Sequence, residues 1–386
     1  MKKLLVTLAL GASSFSAFAI TPLWLRDVNI SPDGKEIVFC YKGDIYKVKA
    51  AGGEAVRLTS QDSYESNPVW SPDGKQIAFA SDRFGNFDLF IMPADGGTAK
   101  RLTMNSASEI PSTFTPDGKY VVFSASIQDP ASSALFPKSG MTELYKVPVA
   151  GGRTQQMLGT PAEMVCYAPS GDFFLYQDQK GVESEWRKHH TSSITRDVWM
   201  YDTKTGKHTN LTEVAGEDRN PVLSPDGKQV YFLSERNGGS FNVYRFPLDN
   251  PKEIQPVTSF KTNPVRFLSM GNDGTLCYTY DGEIYTQPVD GKPKKVAVSL
   301  VRDEEELPVS YSFTRGASEA VVSPDGKQVA FIVRGEVFVT SVEYGTTKQV
   351  THTPEAERGL SFGADNRSLV YSSERNGKRD LYIAKI

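Results

Sequence analysis

The pentapeptide Ser-Pro-Asp-Gly-Lys stands complete at residues 31–35, 71–75, 224–228 and 323–327, and with Thr in place of Ser at 115–119. Degenerate copies at 168–171, 270–274 and 363–366 bring the number of units to eight, with successive starts 40, 44, 53, 56, 46, 53 and 40 residues apart. That spacing is the length of a four-stranded propeller blade and exceeds a leucine-rich or ankyrin repeat. Within the pentapeptide, proline presets φ, aspartate takes the next turn position and glycine accepts positive φ, so each copy should close a tight hairpin.

The second unit reads as four short strands: 68–71, 76–81, 88–93 and 99–103. Strand cores such as Ile37-Val38-Phe39, Ile77-Ala78-Phe79, Val121-Val122-Phe123, Val230-Tyr231-Phe232 and Val329-Ala330-Phe331 are apolar on successive residues. Strands of that kind are buried on both faces, which blades stacked around an axis provide. The predicted fold is therefore all-β: a β-propeller of four-stranded antiparallel blades, for which closure of all eight units into a single eight-bladed ring is one arrangement. With the first strand innermost, loops joining strands two and three share one face with the loops joining blades. Two insertions enlarge that face, at 126–142 and 178–196, and binding concentrates on such loops.

Lysines and arginines number 43 and acids 46, for a net charge of -3, which gives nucleic acid and anionic membranes no electrostatic purchase. Residues 1–19 read as a signal peptide: Lys2 and Lys3 precede the apolar stretch 4–10, and Ala17-Phe18-Ala19 has the form that signal peptidase cleaves. The mature chain, from Ile20, is expected to be exported to the periplasm or secreted, without a membrane span. Cys40, Cys166 and Cys277 are too scattered for a disulfide framework and read as buried strand residues.

No H-E-x-x-H or Cys/His spacing suits a metal, no G-x-S-x-G elbow occurs, and the glycine pairs sit in hairpin turns rather than phosphate loops. Neither a catalytic group nor a cofactor is predicted. The phrase Ser81-Asp82-Arg83 returns as Ser234-Glu235-Arg236 and Ser373-Glu374-Arg375, and its charges are expected to pair within the blade, with Asp88 and Asp380 as acids in reach. Candidates for contact with a peptide or a second subunit are Lys138 and Arg196, together with the insertion residues Trp186, Arg187, Lys188, His189 and His190. An aromatic beside cations suits a carboxylate or a subunit interface; a loop packed on its own blade is the competing reading.

The opening Pro22-Leu23-Trp24-Leu25-Arg26, followed by Tyr41-Lys42-Gly43-Asp44-Ile45-Tyr46, the 186–199 stretch and Arg334-Gly335-Glu336-Val337-Phe338 resemble bacterial tricorn-type serine peptidases. The pentapeptide alone is shared with TolB-type propellers. The resemblance implies a six-bladed propeller over about 20–300, an acidic linker at 301–311 and two blades of a second propeller at 312–386, short of the family's PDZ and catalytic parts. It implies a non-catalytic role in guiding peptides and in assembly, with peptides or a protein partner bound and a homo-oligomer as one outcome. A TolB-like periplasmic scaffold is the second reading, and a propeller glycosidase with carboxylates converging on the axis the third. The family holds a substrate carboxylate with basic residues, yet this chain has no Arg-Arg pair, and Lys138 and Arg187 are the nearest substitutes.

Overall fold

The repeated turns carry out the task their sequence sets. Ser31 Oγ donates to Asp33 Oδ1 at 2.7 Å, and Asp33 accepts from the Lys35 amide at 3.1 Å, while Ser31 Oγ accepts from the Glu36 amide at 2.9 Å. The same network recurs around Asp73, Asp226 and Asp325. These aspartates are consumed as turn punctuation, and the Ser hydroxyl, helped by the Lys amide, holds each carboxyl below its ordinary range.

The computed structural model describes residues 21–127, 141–181, 184, 186, 194–214, 216–236, 240–300 and 315–386. Each turn joins the first two strands of an antiparallel sheet whose strands lie in chain order, as in Glu65–Trp70, Gln76–Ser81, Asp88–Pro93 and Lys100–Arg101 of the second sheet. Seven sheets have four strands of this kind, and the eighth has three: Arg358–Phe362, Ser368–Ser373 and Asp380–Lys385. No helix occurs among the described residues, so none there is long and apolar enough to cross a membrane.

The first strands of sheets one to six pack against one another in sequence, and the first strand of sheet one, Arg26–Ile30, packs against that of sheet six, Arg266–Met270. The first strands are therefore innermost and the six sheets close a ring. Six apolar layers fill the joints. Cys40, Ile45, Phe79 and Met92 lie between sheets one and two, and Ile37, Phe39, Cys277 and Ile284 between sheets six and one. Ile37, Val38 and Phe39 are wholly buried, as are Ile77, Ala78 and Phe79. At about 1.5–3 kcal/mol for each fully buried large apolar side chain, these layers are what holds adjacent sheets together.

The seam between sheets six and one has two further ties. The Leu25 amide donates to the Gly282 carbonyl at 2.9 Å, and Val298–Ser299 pairs in parallel with Gly53–Glu54. Sheets seven and eight pack on each other through Ile332, Val337, Leu369 and Tyr371. Val329 and Phe331 in sheet seven are only half-buried, whereas their counterparts in the ring are enclosed. The structure thus has six sheets in a ring and two beyond it. A single eight-bladed ring is not formed, because sheet six already meets sheet one.

Candidate functional site

Every innermost strand of the ring carries a register break near its third residue. In five of them a non-glycine residue there adopts left-handed backbone: Asp27, Asn67, Met164, Asn220 and Phe267, with φ of 49–55°. Asp and Asn tolerate this conformation; Met and Phe rarely do. Asn220 supplies part of the compensation, donating to the Leu268 carbonyl at 3.0 Å and accepting from its amide at 3.2 Å, which ties sheet five to sheet six. Bulges of this kind re-aim side chains around a rim or a site.

On the loop face, beside sheets one and six, lies a cleft of about 1530 Å³. Its floor is low there because the hairpins between strands two and three are two-residue turns, Lys42-Gly43 in sheet one and Asp281-Gly282 in sheet six, with φ positive at both positions. Trp24 packs onto the second of these turns: a Cβ added at Gly282 would lie 2.8 Å from the Trp24 nitrogen. The opposite wall comes from sheets seven and eight, including Phe331, Arg334 and Arg358. Arg334 lies over the Tyr64 ring at 5.7 Å, with its guanidinium 3.8 Å from Asp82.

Trp186 occupies the centre of this arrangement. The guanidinium of Arg26 lies 4.7 Å from its ring centroid and that of Arg266 lies 5.1 Å away, while Phe267 meets it edge-on at 5.9 Å. An insertion of sheet four therefore delivers its tryptophan across the ring to sheets six and one. Trp186 is thus half-buried, with both arginines packed on its ring. Around it, Asp44 is pushed up to about 6 by burial, against the opposing pull of Arg57 at 2.7 Å. Burial also raises Tyr64, with Arg26 acting the other way.

Arg196 lies elsewhere. It is buried at the joint of sheets four and five, 3.0 Å from Glu217 and 3.6 Å from Glu163, which gives it a structural position. Lys138, Arg187, Lys188, His189 and His190 fall outside the described residues. Arg266 and Phe267 were not singled out in the sequence, and Arg26 entered only as part of a resemblance. The two arginines are separated by 240 positions, and the available signal was their common phase, each opening the innermost strand of its unit.

The site offers cations, aromatic surface and hydrogen-bonding groups. Cysteine thiols are raised by burial, Cys166 to about 11, so none is a thiolate at neutral pH. Among the described residues no group of three or more His, Cys, Asp or Glu side chains could hold a metal ion.

Residues 22–292 match the family described as the tricorn protease N-terminal beta propeller domain. The chain belongs to that family. It is similar to the tricorn protease of Thermoplasma acidophilum, at 22% identity over 94% of this chain and 33% of the relative. It is also similar to the uncharacterized peptidase YuxL of Bacillus subtilis, at 24% identity over 56% of this chain and 31% of the relative. A third relative, the uncharacterized protein Atu1656 of Agrobacterium fabrum, is 25% identical over 50% of this chain and 62% of its own length. The chain thus spans between about a third and two thirds of the length of these relatives. Among solved structures, the fold is similar to the tricorn protease crystal structure, with a TM-score of 0.60 over 95% of this chain and 35% of that one at 19% identity. It is also similar to TolB from Acinetobacter baumannii, with a TM-score of 0.55 over 70% of this chain and 66% of that one at 18% identity.

Proposed function

We propose that this propeller region is the non-catalytic, peptide-guiding and assembly part of an exported tricorn-like serine peptidase. On this reading residues 1–19 are removed on export, 20–300 are the ring, 301–311 a linker and 312–386 the opening sheets of a second propeller. The observation that carries it is the pair Arg26 and Arg266 packed on Trp186, all three lining a cleft large enough for several residues of extended peptide. Guanidinium and aromatic groups recognise peptide carboxylates and side chains without acting on them. Lys138 and the cations of 187–190 are proposed as further contacts, a homo-oligomer as the assembled form and the periplasm as the compartment.

Similarity to TolB supports a second reading, a periplasmic scaffold whose face receives a folded protein. A glycosidase is disfavoured by the carboxylates at the heads of the innermost strands: Glu65 and Asp218 are buried and engaged by Arg83 and Arg236 rather than converging on the axis. Photo-crosslinking with short peptides carrying a photoreactive residue separates the first two readings. Adducts on Arg26, Phe267 or Trp186, competed away by free peptide, are expected for a guide. Absence of adducts at the mouth, with capture of folded proteins only, supports the scaffold.

A further inference from the structure

In sheets two and five the innermost strand opens with a buried acid facing a serine across the hairpin, Glu65 opposite Ser81 and Asp218 opposite Ser234. Two residues beyond that serine an arginine folds back onto the acid: Arg83 on Glu65 at 3.0 Å and Arg236 on Asp218 at 2.7 Å. Arg375 does the same to Glu357 in sheet eight at 2.9 Å. Each guanidinium also lies on an aromatic ring, Phe90, Phe232 and Tyr382 respectively.

Sheet three keeps the acid and loses its partners. Glu109 occupies the equivalent position, paired across the hairpin with Ala125 instead of a serine, and Ile127 stands where the arginine would be. Ile127 packs into the apolar layer with Phe123 and Tyr145, the aromatic pair that elsewhere lies under a guanidinium. Glu109 is 1% exposed, and neither carboxyl oxygen has a hydrogen bond of ordinary geometry, although the Thr103 hydroxyl faces it.

We propose that Glu109 is a proton-holding position that makes the joint between sheets two and three sensitive to pH, closed while the carboxyl is neutral and loosened once it ionises. The charged groups facing it come from sheet two: Asp88 and Arg101, which pair with each other at 2.8 Å. Arg101 also donates to the Thr103 carbonyl at 2.8 Å, so this cation is committed, and Asp88 adds repulsion. In its own sheet the nearest acid, Glu143 on the third strand, lies opposite Ala125 and is held by Tyr145 at 2.7 Å and Gln156 at 2.8 Å. Burial pushes Glu109 up to about 7; the Thr103 hydroxyl offsets only part of that cost. Because the folded value is raised, the stabilisation is complete below the ordinary carboxylate range and is lost as pH rises through about 7.

The test uses the mature chain and two variants, Glu109→Gln and Ile127→Arg. Difference infrared spectra across pH 5–8 should show a protonated carboxyl band that fades as pH rises in the wild type and is missing from Glu109→Gln. Amide exchange in sheets two and three, compared between proteins at equal pH, should match at pH 4. At pH 8 wild-type opening should exceed that of Glu109→Gln by at least tenfold. Ile127→Arg, which rebuilds the pair found in sheets two, five and eight, should abolish the titrating band. Wild-type spectra without that band, or equal opening of wild type and Glu109→Gln at pH 8, would overturn the proposal.

Discussion

Arg83 Nη2 lies 3.0 Å from Glu65 Oε1, a carboxylate with no solvent exposure, and the same guanidinium covers the Phe90 ring at 4.4 Å. Ser63 and Ser81 donate to the same oxygen. The partner of the repeated arginine is thus the acid that opens the innermost strand, while Asp88 pairs with Arg101 and Asp380 with Lys378.

Replacing Arg83 with methionine keeps much of the side-chain volume and strands a buried charge. We expect a loss of about 3–5 kcal/mol. The double variant Arg83→Met/Glu65→Gln should recover part of it, which a double-mutant cycle by denaturant unfolding would measure.

Glycine substitutions should distinguish turn strain from seam closure. Gly227→Ala places a Cβ in open space at φ 72°, so only the left-handed penalty applies, about 1–2 kcal/mol. Gly282→Ala has φ 77° and brings the Cβ to 2.8 Å from the Trp24 nitrogen, so it should cost more and loosen the Leu25–Gly282 tie. Melting temperatures, with amide exchange at residue 25, would read both.

Stability should peak in mild acid. Burial raises Asp44 and Asp218 to about 6, so their contribution is complete below the ordinary value of 3.8 and lost as pH rises through about 6. The turn aspartates Asp33, Asp73 and Asp226 are lowered, so theirs is present above 3.8 and lost as pH falls below it. Thermal melts between pH 3 and 9 should show a maximum at about pH 5; a maximum above pH 8 would contradict these assignments.

The repeat was legible because its information is local: a serine, an aspartate and a glycine within five residues fix a hairpin, and apolar runs such as Ile77-Ala78-Phe79 announce burial on both faces. The joining of sheet six to sheet one was carried by the family resemblance rather than by local pattern, and the parallel pairing of Val298–Ser299 with Gly53–Glu54 and the packing of Arg26 and Arg266 on Trp186 were not legible. These contacts bridge roughly 80 to 245 positions and follow from ring closure, which no local periodicity encodes. The left-handed Met164 and Phe267 were hidden for a related reason, since their residue types argue against that conformation and only the packed ring imposes it.

The most direct test of the account is a calorimetric titration of the mature chain with short peptides bearing a free carboxylate, alongside the Arg26→Ala/Arg266→Ala variant, with mass spectrometry of the recovered peptide. The account predicts saturable binding by the wild type, at least tenfold weaker binding by the double variant, and intact peptide in both samples. Equal affinity in the two proteins would remove the cleft around Trp186 as the binding site, and cleaved peptide from a homogeneous preparation would contradict a non-catalytic role.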